Sequence, residues 1–143
     1  MTNDYEMLKL DRQLCFPLYA VSREIVKKYK PFLDEIGLTY TQYITMMVLW
    51  EEKEIFVKDL GAKLFLDSGT LTPVLNALEK KGHVTRKRSE TDKRDVYAVI
   101  TEAGMALREQ AAEIPAKVVA CVPLSLEDAM TLHRILHEIM DKL

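Results

Sequence analysis

The chain has 143 residues, of which 48% are apolar and 29% are charged, a composition typical of one globular domain. No apolar run is long enough to span a membrane, and the first residues lack a secretion-signal pattern, so we expect a cytoplasmic protein without a membrane partner. The net charge of −2 excludes a uniformly basic nucleic-acid-binding protein.

Helices are predicted over the first third of the chain. The first helix is expected to end near Lys30, because Pro31 disfavours helical geometry in the residue before it. Five residues form its apolar face: Leu10, Leu14, Leu18, Val21 and Ile25. A second helix is predicted from about Thr41 to Glu52. Its buried side is formed by Tyr43, Met46, Met47, Leu49 and Trp50.

The middle of the chain predicts two short helices and a hairpin. Residues 57–64 and 68–81 are typical of helices joined by a tight connection, and Gly82 separates them from a strand, a charged turn at 88–94 and a second strand. This order predicts a winged helix-turn-helix, in which one helix enters the DNA major groove and a basic wing lies beside it. The predicted fold is therefore mainly α with a small β-hairpin wing.

The charge distribution supports this interpretation. Residues 80–94 carry a net charge of +5, which leaves −7 on the rest of the chain. Basic charge is thus concentrated where phosphate would lie, and the acidic remainder would be repelled from DNA. The alternative is a solvated hairpin of mixed charge with no ligand.

The second helix of the predicted motif has one polar face. Helical spacing points Leu71, Leu75 and Leu78 inward and points Thr72, Asn76 and Lys80 outward. Ser68 and Thr70 lie near the helix start. Pro73 requires this helix to begin near Ser68 or Gly69, because a missing N–H is tolerated only within about the first turn. Small polar groups on this face would suit contacts to base edges and phosphates, although polar residues on an exposed helix are usually only solvated.

The terminal helices predict a second copy of the chain. A fifth helix is expected from Thr101 towards Ala120 with a bend at Pro115, and Ser125 is expected to cap a sixth. The sixth helix carries an apolar stripe formed by Leu132, Ile135, Leu136, Ile139, Met140 and Leu143. A symmetric homodimer would bury these stripes and place two copies of the reading helix, the predicted DNA-contacting helix at 68–81, on a palindromic DNA site. The alternative is that the stripes close the core of a monomer. We therefore divide the single unit 1–143 into a winged helix-turn-helix part, 41–101, and a helical dimerisation part, 5–30 and 102–143.

Two cysteines, Cys15 and Cys121, remain to be explained. They form no Cys-x-x-Cys motif and have no companion zinc ligands, which argues against a structural disulfide and a metal site and leaves either inert burial or redox sensing. Cys15 lies near the start of the first helix with Tyr19 one turn away. Both features favour the thiolate that attacks peroxides.

Four segments carry a resemblance to a known family. They are LCFPLY at 14–19, LTYTQY at 38–43, LDSGTLTP at 66–73 and RKRSETDKR at 86–94. On these segments the chain resembles the MarR family of transcriptional regulators over essentially its full length, and within it the organic hydroperoxide-resistance repressors. The resemblance implies a cofactor-free homodimer that leaves a palindromic double-stranded DNA operator when one thiol is oxidised by an organic hydroperoxide.

The resemblance also implies roles for individual residues. Tyr29 and Tyr40 match tyrosines that hydrogen-bond the reactive cysteine, and Cys121 resembles the resolving cysteine of two-cysteine relatives. Because Cys15 and Tyr29 would lie about 21 Å apart on one helix, their contact must cross between subunits, and we expect the same of a disulfide from Cys15 to Cys121. Some relatives instead use a small cellular thiol. The expected DNA-binding residues are Ser68, Thr70, Thr72, Asn76, Lys80, Arg86, Arg88, Asp92 and Arg94.

Two other functions remain open. One is a repressor of the same family that is released by a noncovalent phenolic ligand, bound between the dimer and DNA-binding parts. The other is a thiol peroxidase that uses Cys15 as the attacking thiol and Cys121 as the resolving thiol, which would leave the basic wing unexplained. We expect a non-enzyme, and we interpret His133 and His137 as an exposed helix face and not a metal site.

Overall fold

The computed structural model describes residues 4–143, which are mainly helical with one small antiparallel sheet. Two 3-10 turns, at Asp4–Leu8 and Leu10–Arg12, precede the first helix. The helices and strands that follow are α1 Cys15–Asp34, α2 Tyr40–Glu52, β1 Glu54–Phe56, α3 Val57–Leu64, α4 Ser68–Lys80, β2 Val84–Arg88, β3 Val96–Ile100, α5 Glu102–Ala111, α6 Ile114–Val119 and α7 Leu126–Met140. This order confirms the predicted mainly α fold with a winged helix-turn-helix.

Helix α1 differs from the prediction at both ends. The helix begins at Cys15, later than predicted, and Leu10 lies in a 3-10 turn before it. At its other end the helix continues past Lys30 to Asp34. The predicted end was wrong because Pro31 removes only one hydrogen bond, to the carbonyl of Lys27. Both Pro31 and Lys27 are exposed, so solvent can satisfy that carbonyl.

Helix α2 begins with a capping box. The Thr39 hydroxyl accepts from the backbone N–H of Gln42, and the Gln42 side chain accepts from the backbone N–H of Thr39. Met46 and Leu49 on this helix are fully buried, but Met47 is 44% exposed, so its predicted burial was wrong. Helix α2 thus supplies the centre of the core.

The two helices of the DNA-binding motif meet at a tight turn. Helix α4 begins at Ser68, as Pro73 required, and the Asp67 side chain caps it by accepting from the backbone N–H of Thr70 at 2.8 Å. Gly61 in α3 allows the close approach, since a Cβ there would lie 2.8 Å from the Leu66 carbonyl oxygen. The two helices can therefore pack closely across the turn.

The wing belongs to a three-stranded sheet of order β1-β3-β2. Strands β2 and β3 form the predicted hairpin, with Val84 opposite Ile100 and Arg88 opposite Val96. Strand β1 was missed by the sequence analysis. It has only three residues and pairs antiparallel with β3, which lies far along the chain.

A single cluster of buried side chains joins the helices to the sheet. Its largest members come from α1, α2, α3, α4 and α6, with a contribution from β2, and they include Leu33, Met46, Leu49, Leu60, Leu71, Leu75, Leu78, Val84 and Val118. Trp50 donates a hydrogen bond to the Gly104 carbonyl at 2.8 Å, which attaches α5 to α2. The core therefore holds the reading helix α4 against the centre of the domain.

The C-terminal part consists of three helices and not the predicted two. The expected long fifth helix is interrupted after Ala111, and Pro115 lies in the first turn of α6, where its missing N–H is tolerated. Ser125 caps α7 as predicted, by accepting from the Asp128 backbone N–H. Among residues 4–143, no helix combines the length and apolar character needed to cross a membrane.

Candidate functional site

The two thiols occupy different ends of the helical part. Cys15 is the first residue of α1 and is exposed. Cys121 follows α6, is also exposed, and its Sγ donates to the Lys117 carbonyl at 3.4 Å. Both are free cysteines. An inert buried role, one of the two alternatives left by the sequence, therefore does not describe either thiol in the single chain.

Three tyrosines form a cluster between α1 and α2. The ring centroids of Tyr29 and Tyr40 lie 5.0 Å apart, and the Tyr43 ring lies 5.7 Å from Tyr29 and 6.3 Å from Tyr40. Tyr29 and Tyr40 were expected at this site, whereas Tyr43 was expected only in the core, although its position one turn after Tyr40 on α2 was a visible signal. The structure thus brings the two predicted tyrosines together with a third.

Burial disfavours ionisation of the tyrosines in this cluster. It raises the pKa values of the Tyr29 and Tyr40 hydroxyls above the usual range, and it raises the pKa of Tyr43 to about 12. Each hydroxyl therefore remains a hydrogen-bond donor at neutral pH.

The cluster is distant from Cys15 of the same chain. Helix α1 is continuous from Cys15 through Tyr29, which places them about 21 Å apart along the helix axis. Tyr19 is closer, one turn after Cys15, but it is exposed and its hydroxyl accepts a hydrogen bond from Arg23 Nη1 at 3.0 Å. Within one chain, the Cys15 thiol is therefore too far from Tyr29 to form a hydrogen bond with it.

The exposed face of α4 matches the predicted pattern. Five polar residues lie on it, and all are exposed: Ser68, Thr70, Thr72, Asn76 and Lys80. The opposite face packs Leu71, Leu75 and Leu78 into the core. The cap also affects charge, since the hydrogen bond from the Thr70 backbone lowers the pKa of Asp67.

The tip of the wing is fixed by its own hydrogen bonds. The buried Ser89 hydroxyl accepts from the Thr91 backbone N–H at 3.2 Å, and Arg88 Nη1 donates to the Lys93 carbonyl at 3.1 Å. Asp92 Oδ1 accepts from the backbone N–H of Arg94 at 3.0 Å and from its Nε at 3.4 Å. The Arg94 side chain is 92% exposed, so it extends from the tip while Asp92 orients it.

Arg86 lies differently from the other basic residues of the wing. Its Nε donates to Glu79 Oε2 at 2.7 Å and its Nη2 donates to Asn76 Oδ1 at 2.5 Å. Its side chain is only 32% exposed. Arg86 therefore braces strand β2 against helix α4, which the sequence analysis did not anticipate.

Comparisons with known proteins agree with this arrangement. The family model of the SarA/Rot transcriptional regulators matches residues 27–110. Over 100% of its length the chain is 46% identical to the organic hydroperoxide resistance transcriptional regulator of Bacillus subtilis, 97% of which is covered. The chain belongs to the organic hydroperoxide resistance regulators of the MarR family. It is also 49% identical to the regulator SarZ of Staphylococcus aureus over 76% of this chain and 74% of that protein.

Solved structures of this family share the fold. Reduced AbfR bound to DNA superimposes with a TM-score of 0.81 at 33% identity, covering 99% of this chain and 96% of that chain. Disulfide-formed AbfR gives a TM-score of 0.64 at 34% identity, covering 94% and 95%. The chain is thus a MarR-type transcriptional regulator, and no enzyme family is indicated.

A small cavity lies near the tyrosine cluster. It has a volume of about 180 Å³ and is lined by Tyr43, Met47, Trp50, Arg108, Ala111, Ala112 and Pro115. Its wall is mainly apolar and carries one guanidinium, that of Arg108. In the described part of the chain, no group of three or more His, Cys, Asp or Glu side chains is arranged to hold a metal ion.

Proposed function

We propose that this family member is a homodimeric repressor that senses organic hydroperoxides through Cys15 and releases its palindromic operator when Cys15 and Cys121 form a disulfide between subunits. The observation that carries the proposal is the position of Cys15. It is exposed at the start of α1, while Tyr29, the member of the tyrosine cluster on α1, lies about 21 Å further along that helix. A second subunit is needed to bring a tyrosine cluster to each thiol.

The exposed apolar surface supports a dimer. Helix α7 has no buried residue in the single chain, and Leu132, Ile135, Ile139 and Met140 are each about 39–47% exposed. Apolar residues around the start of α1 are exposed as well, including Leu14 at 80%. Self-association would remove both surfaces from water.

The position of Cys121 supports a bond between subunits. One turn before it, Lys117 Nζ lies over the Phe32 ring at 5.9 Å. Phe32 lies about 25 Å along α1 from Cys15. Cys121 is therefore beside the C-terminal half of α1 in its own chain, whereas a disulfide requires alpha carbons within about 7 Å.

The chemistry proceeds in two balanced steps. The Cys15 thiolate attacks the terminal oxygen of the hydroperoxide, the O–O bond breaks, and the alkoxide takes a proton and leaves as an alcohol. Cys15 is then a sulfenic acid. The Cys121 thiolate of the partner attacks that sulfur, the S–O bond breaks, hydroxide leaves and takes a proton to form water, and the disulfide remains. The side chains of Phe16 and Leu18 beside Cys15 would contact the organic part of the oxidant.

The tyrosines would assist the first step. Donors that hydrogen-bond a thiolate stabilise its charge, and partial burial raises the pKa of Tyr29 and of Tyr40, so both hydroxyls are protonated at neutral pH. We assign the same role to Tyr19, which lies one turn from Cys15. Tyr43 lies behind the other two rings of the cluster and orients them.

DNA binding would use the exposed face of α4 and the wing. Ser68, Thr70, Thr72 and Asn76 would face the major groove, and Lys80 at the end of α4 would contact a backbone phosphate. Arg88 and the pair Asp92–Arg94 would lie along the backbone or the minor groove. AbfR is found on DNA in its reduced form and also in an overoxidised form, the latter superimposing at a TM-score of 0.74 and 33% identity. We infer that the cross-link, which moves the two halves of the dimer, causes release here, and that added charge on the sulfur alone does not.

One experiment tests the proposal directly. DNA selected by the reduced protein from a random library is bound to wild type, Cys15→Ser and Cys121→Ser, and one equivalent of cumene hydroperoxide is added. We expect wild type to leave the DNA and to run as a cross-linked dimer on a non-reducing gel. Both variants should stay on the DNA and run as monomers. Oxidised wild type that holds the DNA as tightly as the reduced protein would contradict the proposal.

The same samples separate the remaining alternatives. When a small thiol is added with the hydroperoxide, release of wild type and of Cys121→Ser without a cross-linked band would point to a small-thiol adduct on Cys15 in place of the bond to Cys121. Peroxide consumption far beyond one equivalent in the presence of a reductant would indicate a thiol peroxidase.

The cavity beside Tyr43 favours one second candidate, release by a noncovalent phenolic acid. NadR, which superimposes at a TM-score of 0.72 with 25% identity, is described in complex with 4-hydroxyphenylacetate. Under this model Cys15→Ser would respond normally to the ligand and an Arg108→Leu variant would not. Under the thiol model Arg108→Leu would still respond to hydroperoxide.

A further inference from the structure

The contact between Arg86 and Asn76 fixes the orientation of an amide on the exposed face of α4. Arg86 Nη2 donates to Asn76 Oδ1 at 2.5 Å, and Arg86 Nε donates to Glu79 Oε2 at 2.7 Å. A guanidinium has five N–H donors and no acceptor, so it can face only the oxygen of the amide. The amide cannot turn over without placing its own N–H groups against those of Arg86.

In this orientation the Asn76 NH₂ group points away from the Arg86 guanidinium. Within residues 4–143, Nδ2 of Asn76 makes no hydrogen bond, and the side chain is exposed. Asn76 lies one turn after Thr72 on the same face of α4. The surface therefore presents an oriented donor at a point where a DNA base edge would lie.

Glu79 explains why Arg86 holds this position. Its carboxylate forms a charge-assisted ion pair with the guanidinium, and both side chains are less than half exposed, at 40% and 32%. An arginine held in this way is less free to move to a phosphate than Arg94, whose side chain is 92% exposed. Arg86 and Glu79 are thus positioning residues, and Asn76 is the group that reaches outward.

We propose that Asn76 is a specificity-determining residue that reads a hydrogen-bond acceptor on one base of each operator half-site, in an orientation set by Arg86 and Glu79. This inference rests on the proposed function, in which α4 enters the major groove. In that groove guanine offers N7 and O6, adenine offers N7 and thymine offers O4, whereas cytosine offers only its amino donor. One position in each half-site therefore favours a purine, guanine most strongly, and rejects cytosine.

The test compares position-by-position binding profiles of the reduced full-length dimer. DNA selected by wild type from a random library is varied one base pair at a time, and affinities are measured by fluorescence anisotropy at fixed salt. We expect about a tenfold preference for guanine over cytosine at one position of each half-site, the magnitude of one good base contact. In Asn76→Ala this preference falls below about twofold, and the other positions keep their preferences.

Two further variants separate reading from simple stability. Arg86→Leu should remove the base preference at the same position as Asn76→Ala does, because the Asn76 amide is then free to rotate. Lys80→Ala is the matched control, since losing a phosphate contact weakens all sequences by a similar factor and leaves the profile unchanged. Thermal unfolding of each variant checks that the domain remains folded.

A modified base gives an independent measurement. Replacing the selected guanine by 7-deazaguanine removes the N7 acceptor, which should weaken wild type several-fold and leave Asn76→Ala unaffected. An equal loss of affinity in both proteins, or an unchanged binding profile in Asn76→Ala, would overturn the inference about Asn76. The proposed function would remain intact in that case as long as wild type binds DNA sequence-specifically. A wild-type protein that binds no DNA sequence preferentially would overturn both.

Discussion

Lys81, at the end of α4, donates a hydrogen bond to Gln42 Oε1 at 2.8 Å, and its ammonium also donates to the Gly37 carbonyl. Gln42 is buried, with 8% of its surface exposed, and the same side-chain oxygen accepts from the backbone N–H of Thr39. Helix α2, which carries Tyr40 and Tyr43, starts at this Thr39–Gln42 capping box. The end of the reading helix is therefore tied to the start of the helix that carries Tyr40.

The first prediction follows from this tie. Lys81→Met removes a charged donor from a buried amide oxygen that keeps only one other partner, so we expect the free energy of unfolding to fall by about 1 kcal/mol. Urea denaturation measures the change. Lys80→Met is the control, because Lys80 is exposed and its ammonium makes no hydrogen bond within the described residues. Equal stability of the two variants would show that the tie contributes nothing.

The same variant tests transmission between the tyrosine cluster and the DNA-binding face. If the tie carries motion from α2 to α4, Lys81→Met should show a several-fold smaller ratio of reduced to oxidised DNA affinity than wild type. The measurement is a DNA titration before and after one equivalent of hydroperoxide. An unchanged ratio, with cross-linking as complete as in wild type, would place the transmission elsewhere.

A second prediction concerns backbone strain at Lys53. This residue ends α2 with φ 65° and ψ −36°, a region that side chains with a Cβ rarely adopt. Lys53→Gly should raise the free energy of unfolding by about 1 kcal/mol, since the relief of strain exceeds the added entropy of the unfolded chain. Lys53→Ala keeps the Cβ and should give no such gain. Thermal unfolding of both variants decides between these outcomes.

Short-range sequence signals predicted the helix-turn-helix and its hairpin. The leucines on the buried side of α4, Gly82 and the charged turn all act within a few residues, and the structure confirms the elements they define. Strand β1 was not predictable in this way, because its three residues are ordered by pairing with β3, far along the chain. Local rules also placed the end of α1 too early, since one exposed Pro31 was not enough to stop a helix that packs against α2 and α6.

The sequence predicted which residues of the candidate site are exposed but not the contacts between them. Helical spacing correctly placed Thr72, Asn76 and Lys80 on the exposed face of α4. It could not show that Arg86 would turn back to Glu79 and Asn76, because that contact depends on how the strand crosses the helix. Tertiary packing decides such contacts, and sequence spacing alone does not.

A third prediction uses the tyrosine cluster at high pH. Burial raises the pKa of Tyr43 to about 12, above the value of about 10 expected in the unfolded chain. Stability from this group is complete below about pH 10 and is lost as the pH rises towards 12, because the unfolded chain ionises first. We expect a loss of roughly 2 kcal/mol over that interval. Tyr43→Phe should show a flatter profile in urea titrations from pH 8 to 12, and an equally steep profile would exclude Tyr43 as the cause.

A fourth prediction concerns acid. Burial, with a contribution from the nearby Lys81 charge, lowers the pKa of His83, and Nδ1 of His83 is buried without a partner among the described residues. A depressed pKa means that the unfolded chain takes up the proton first, so stability falls as the pH drops below about 6.5. His83→Leu should reduce the slope of unfolding free energy between pH 7 and 5. An unchanged slope in His83→Leu would exclude His83 as the cause.

The last prediction concerns the contact between α5 and the turn that follows α4. A Cβ at Gly104 would lie 2.2 Å from the backbone carbonyl oxygen of His83 and 3.0 Å from Ile100 Cγ1, and a carbonyl in a hydrogen-bonded turn cannot easily move away. Gly104→Ala should therefore lower the free energy of unfolding by about 2 kcal/mol. Gly69→Ala is the matched control, because a Cβ there meets only a carboxylate oxygen at 3.4 Å. Helix propensity should then make Gly69→Ala neutral or slightly stabilising, by up to about 1 kcal/mol. If both variants unfold at the same urea concentration, close packing at Gly104 does not limit the fold.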